Sequence, residues 1–142
     1  MITVHVNAIG ASDVPRRLIR RAVRETLRRE GVPSAEVSVT FMSDAEITAL
    51  HSRYLKRSGV TDVLSFALHV EGGEPLGDVY IGHGQAVRQA AAAGVPPKEE
   101  MARLAVHGTL HVLGYDHPEG PERAGCEMFR VQEEVLRKAV GA

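Results

Sequence analysis

Three histidines in the last third of the chain have the residue type and spacing to hold a metal ion. They are His107, His111 and His117, within the segment HGTLHVLGYDH. On a helix, side chains four apart stand one above the other, with Cβ atoms roughly 5–6 Å apart. Two imidazoles so placed can reach one ion through Zn–N bonds of about 2.0–2.1 Å. Gly114 follows three residues after His111, where a helix ending in a left-handed residue favours glycine. The chain can then reverse and bring His117 toward the same point. Three neutral imidazoles leave a fourth position for water, the arrangement of a catalytic zinc site. Zinc so held lowers the pKa of its bound water toward roughly 7, so the expected chemistry is hydrolysis with one Zn(2+) per chain.

Chance spacing of structural histidines is the competing explanation. Around the pair, however, the helix is apolar nearly all round, through Leu104, Ala105, Val106, Leu110, Val112 and Leu113. A helix of that type is buried, and buried imidazoles need partners that a shared metal supplies at once. Asp116, beside His117, is a candidate to orient a ligand imidazole or accept a proton; equally, it can bond local backbone as a turn residue. The spacing HxxxHxxGxxH also resembles the metzincin metallopeptidases, in which a glutamate after the first histidine is the general base. Gly108 stands there in this chain, which argues against a peptidase.

The elements that must position these residues show in the periodicity. Period-two alternation marks strands at Ile2–Val6, Val37–Phe41, Leu64–Leu68 and Val79–Ile81, each with one core face and one more polar face. Glu71-Gly72-Gly73-Glu74-Pro75 reads as the turn of a hairpin between the last two. Helices are expected from about Val14 to Glu30, from Ser43 to Leu55 with Ser43 and Glu46 as a capping box, and from Gln85 to Ala93. A fourth should start at Pro96-Pro97 and end at Gly114, and a fifth should span about Glu122 to Ala139. The expected fold is α+β: a small mixed four-stranded sheet with about five helices gathered on its apolar face. The metal site would lie at the end of a central helix, all in one domain spanning 1–142.

The chain has 142 residues, 44% apolar and 25% charged, which suits an ordinary globular protein. Its one cysteine, Cys126, excludes an internal disulfide framework and fits a reducing cytosol. No apolar run approaches the roughly 20 residues that span a bilayer, and the N-terminus lacks the pattern of a signal peptide. The expected location is therefore cytoplasmic, with no membrane partner. Net charge is −1, so no global basic field marks a nucleic-acid binder. Arginines nevertheless crowd the first helix, where positions 17, 20, 21, 24 and 28 share one side. A solvated face is the simpler explanation of that stripe, and phosphate contact the sharper one.

HGTLHVLGYDH, with TDVLSF at 61–66 and GDVYI at 77–81, resembles the YbeY family of bacterial endoribonucleases in the order and separation of all three motifs. The resemblance implies a single-strand-specific, metal-dependent ribonuclease acting on ribosomal RNA, in 16S 3′ end maturation and ribosome quality control. It implies zinc on His107, His111 and His117, single-stranded RNA and the ribosome as partners, and no DNA. One departure stands out. The family commonly carries Asn-x-x-Tyr-Arg before TDVLSF, whereas this chain has His51-Ser52-Arg53-Tyr54-Leu55. Arg57, or failing that Lys56, is the candidate to supply the missing charge and stabilise a phosphoryl transition state.

Thr61, Asp62 and Ser65 lead into the third strand, with Ser65 on its polar face, and could line a cleft. His5, His51, His69 and His83 lack ligand spacing to the triad and read as structural or surface, and Met128 and Phe129 as core. A ribosome-associated binding factor is the alternative function; its metal would be structural and closed by a fourth protein ligand such as Asp116.

Overall fold

The computed structural model describes residues 1–11, 13–55, 63–118 and 120–141. Arg57, Lys56, Thr61 and Asp62 lie outside the described residues. Strands β1 (Ile2–Ala8), β2 (Ala35–Met42), β3 (Val63–Ala67) and β4 (Leu76–Gly82) form one sheet in the order β1-β2-β4-β3. β2 pairs in parallel with both β1 and β4, while β3 and β4 form the expected antiparallel hairpin. Around this sheet stand α1 (Arg16–Arg29), α2 (Asp44–Leu55), α3 (His83–Ala93), α4 (Pro97–Val112) and α5 (Glu127–Gly141). The α+β class, the mixed four-stranded sheet and the five helices agree with the expectation from sequence.

Local chemistry sets most of the boundaries. Ser43 and Glu46 form a reciprocal capping box: the Glu46 N–H donates to Ser43 Oγ (3.2 Å) and the Ser43 N–H to Glu46 Oε1 (3.0 Å). α4 begins on Pro97, whose missing N–H costs nothing in the first turn. The fifth helix differs from expectation. A 3-10 segment over Gly120–Gly125 precedes it, and α5 proper starts only at Glu127. Two glycines and Pro121 account for the offset, since glycine is a poor helix residue and Pro121 suits only a first turn.

The inner face of the sheet places Val4, Val6, Val37, Val39, Val79 and Ile81 in one core with α1 and α4. A second core joins Ala102, Val106 and Leu110 of α4 to Met128, Val131 and Val135 of α5. α4 thus packs against α1, α3, α5 and the β3–β4 hairpin, and is the central helix. α2 departs from the expected one-sided layering. Its Leu50 shares a cavity of about 190 Å³ with Phe66, Leu68, Asp78 and Tyr80 on the opposite face of the sheet.

That second covered face corrects the expected orientation of β3. Ser65 pairs with Val79 and therefore points to the α4 side, whereas Phe66 pairs with Asp78 and turns toward α2. The Ser65 hydroxyl is buried and does not line an open cleft. Small residues are needed on that side because α4 approaches closely. A Cβ added at Gly108 would stand 2.4 Å from Val79 Cγ1 and 3.0 Å from Ser65 Oγ. One added at Gly77 would stand 2.5 and 2.6 Å from the two γ-carbons of Val112. Helix and strand each offer a glycine notch that the other fills with a valine. This double fit fixes the position of α4 along the sheet, and with it the height of the histidines.

Candidate metal centre

α4 ends in a Schellman motif that shapes the site. Gly114 adopts φ 100°, its N–H donates to the His111 carbonyl (3.0 Å), and the Tyr115 N–H donates to the Leu110 carbonyl (3.0 Å). The reversal returns the chain over the helix end and brings His117 to the pair on α4. Ring centroids are 4.7 Å apart for His107 and His111, 5.2 Å for His107 and His117, and 5.1 Å for His111 and His117. One ligand nitrogen from each lies within 4.8 Å of the other two. Among the described residues no carboxylate or thiol joins this group.

Hydrogen bonds select the tautomer of each ring. The His107 Nδ1–H donates to Gln132 Oε1 (2.8 Å), that of His111 to the Tyr115 carbonyl (3.0 Å), and that of His117 to the Pro118 carbonyl (3.2 Å). With Nδ1 protonated, a neutral imidazole carries its lone pair on Nε2. All three rings therefore present the same kind of ligand atom, oriented by an acceptor behind it as metal-bound histidines are. Burial pushes the His111 imidazole below its ordinary value of 6.5, which favours the neutral form that binds metal. The donor set fits a borderline metal such as zinc.

Behind His107 runs a polar relay that periodicity did not reveal. Gln132 Nε2 donates to Glu133 Oε2 (3.0 Å), which fixes the amide with Oε1 toward His107. Arg103 holds Glu133 bidentately, Nε to Oε2 at 2.9 Å and Nη2 to Oε1 at 3.1 Å, and also reaches Glu100 (2.6 Å) and Glu99 (3.2 Å). Burial raises the Glu133 carboxyl, but the bonds from Arg103 and Gln132 outweigh it and hold the group below 4.5. We expect Gln132→Leu to weaken metal binding about 10–100-fold, because the buried Nδ1–H loses its acceptor. Competition against a calibrated chelator measures this; unchanged affinity in a normally folded variant would separate the relay from the metal.

Two more residues stand at the site. Phe129, read above as core, stacks its ring roughly at right angles to those of His107 (5.6 Å between centroids) and His117 (5.7 Å). Arg123 lies over that ring, its Cζ 5.3 Å from the centroid, with Nε buried and without a hydrogen-bond partner. Arg123 also lines a depression of about 260 Å³ with His107, Gln132 and Leu104. Asp116 accepts the His117 backbone N–H on Oδ1 (2.9 Å) and holds the loop that carries the third histidine. His5 and His83 pair with Glu36 (2.9 Å) and Asp13 (2.8 Å), and His69 with the Leu76 backbone, all outside the triad. Met128 is buried in the α4–α5 core.

The sequence profile described as Endoribonuclease YbeY matches residues 4–140. A relative with that description from Geobacillus kaustophilus is 39% identical, over 96% of this chain and 97% of its own. Another, from Pelotomaculum thermopropionicum, is 46% identical over 84% of this chain and 82% of its own. A Thermotoga maritima protein of known solution structure shares the fold, with a TM-score of 0.68 at 23% identity over 98% of this chain and 90% of its own. With the match running from β1 through the three histidines and into α5, the chain belongs to the Endoribonuclease YbeY family.

Proposed function

We propose that this chain is a zinc-dependent endoribonuclease that cuts single-stranded RNA. We place its work in the cytoplasm, in 16S ribosomal RNA 3′ end maturation and ribosome quality control, as one domain spanning 1–142. The observation that carries the reading is the convergence of three imidazoles, each held by an acceptor at Nδ1, in a chain of this family. His107, His111 and His117 would hold a zinc ion, which when bound would supply Lewis acidity to a water and to a phosphoryl oxygen. The chain's own groups do the rest. Gln132 and the Tyr115 and Pro118 carbonyls hold the Nδ1–H of each imidazole and so aim its Nε2. Arg123, over Phe129, is the first candidate to offer a cation to the phosphate. Arg57 is a second candidate for that charge. Asp116 steadies the His117 loop and is the candidate carboxylate to take up a proton.

A structural metal in a ribosome-associated binding factor requires a fourth protein ligand, and among the described residues no carboxylate or thiol joins the three histidines. A peptidase requires a glutamate where Gly108 is packed on Val79. Metal-loaded chain is expected to cut a labelled single-stranded RNA and leave the same sequence intact in a duplex. Arg123→Gln should raise KM about ten- to hundredfold, the worth of one charged hydrogen bond, without changing metal content. Equal cutting of duplex and single strand, or an unchanged KM, would contradict the respective parts.

A further inference from the structure

The outward face of α1 carries Arg17, Arg20, Arg21, Arg24 and Arg28, and these five side chains line an open groove of about 400 Å³. They stand opposite Ile19, Val23 and Leu27, which face the core and are fully buried. At spacings of three and four residues, Arg17, Arg20, Arg24 and Arg28 repel one another along the helix. The helix has no acidic residue in its first turn, so its arginines begin at the end where the macrodipole disfavours cations. Among the described residues Arg17, Arg20 and Arg24 have no ion-pair partner; Arg28 reaches Glu25 only at 3.5 Å, and Arg21 donates to the Ala139 carbonyl. Arg103 is the contrast within the same chain, with three glutamates around one guanidinium. The α1 stripe is therefore a cost to the isolated fold that a bound polyanion relieves.

We propose that this face is a track for the phosphodiester backbone of RNA, holding strand that lies away from the cut. The identity of the polyanion rests on the ribonuclease reading of the histidine site. Two observations favour RNA over a membrane. The apolar side of α1 is consumed by the core, leaving nothing to insert among acyl chains. The C-terminal end of α1 is also tied to the loop of the histidine site: its C-cap residue Glu30 accepts the Tyr115 hydroxyl (2.8 Å), and the Tyr115 carbonyl orients His111. From Arg17 to Arg28 the track is about 16 Å long at roughly 1.5 Å per residue, room for several phosphates met by planar, bidentate donors.

The test is equilibrium binding of metal-loaded chain to phosphorothioate RNA, which resists hydrolysis, with Arg17, Arg20 and Arg24 all changed to Gln in the variant. A single strand of about 20 nucleotides exceeds the roughly 4–16 that one small domain covers, and a tetranucleotide serves as the short probe. We expect the variant to lose about tenfold or more in affinity for the long strand, and its dependence of log K on log salt to flatten by about 2, at roughly 0.7 per phosphate contact. Affinity for the tetranucleotide should hold, and the melting temperature should not fall, because the variant removes mutual repulsion along α1. Unchanged affinity and salt slope would overturn the proposal. So would equal loss for both RNAs, or lost binding to anionic lipid vesicles with RNA binding intact. A chain that cuts RNA with an unchanged slope refutes the track alone; one that loses long-strand affinity in the variant yet never cuts RNA refutes the ribonuclease reading alone.

Discussion

His111→Ala is expected to lower both bound metal and RNA cleavage by more than about a hundredfold, exceeding the 10–100-fold typical of losing only an orienting partner. His111 sits in the last turn of α4, its ring half-buried and its Nδ1–H tied to the Tyr115 carbonyl. Two imidazoles alone leave a tetrahedral ion short of protein ligands even for an open catalytic site. Alanine also suits a helix better than histidine does, so the backbone of α4 has no reason to fail. His117→Ala serves as a parallel case, because it lies in the loop beyond Gly114 and contributes to neither core. Metal content by elemental analysis and cleavage of a labelled RNA should fall together in both variants, with helical content retained. A His111→Ala protein that keeps metal and activity would remove the basis of the proposed chemistry.

The second large effect concerns Gly108, and its sign separates two arguments. Helix propensity alone says that Gly→Ala inside a helix stabilises by up to about 1 kcal/mol. Packing says the opposite. The new methyl would stand 2.4 Å from Val79 Cγ1, and Val79 is fully buried on β4, a strand paired on both sides. Overpacking of this kind costs about 1–3 kcal/mol, and we expect packing to win. For a chain of this length that lowers the melting temperature by roughly 3–10 °C. Val79→Ala in the same chain makes room, so the double variant should lose less than the sum of the two single losses. Thermal unfolding of the four proteins in this cycle measures the coupling; a more stable Gly108→Ala protein would mean that α4 does not press on the sheet at that point. The same contact explains why this chain carries glycine where the metzincins carry their glutamate: no longer side chain has space there.

The convergence of the three candidate ligand histidines was legible because helical spacing and a glycine stop are local signals. His107 and His111 needed only the 3.6-residue period, and Gly114 only the preference for glycine at positive φ. The Ser43–Glu46 box was legible for the same reason. β3 was misread because alternation tells which residues share a face but not which face is covered, and here both are. Leu64 and Phe66 looked like the core side, yet Ser65 and Val79 face α4 while Phe66 faces α2. Gln132 escaped notice because it lies 25 residues from His107 on another helix, and only tertiary packing brings the two within 2.8 Å. Phe129 read as core for a comparable reason. Its helical period places it near the buried Met128, but its ring stands against two imidazoles. The arginine stripe was visible as a pattern. That Arg17, Arg20 and Arg24 have no ion-pair partner among the described residues came only with the fold.

The most direct measurement is cleavage of one labelled single-stranded RNA by the same protein as purified, after chelation, and after zinc is returned. Cutting that stops on chelation and resumes with about one zinc ion per chain is the predicted result. Cutting that continues undiminished in the chelated protein would contradict a metal centre on His107, His111 and His117 as the source of the activity.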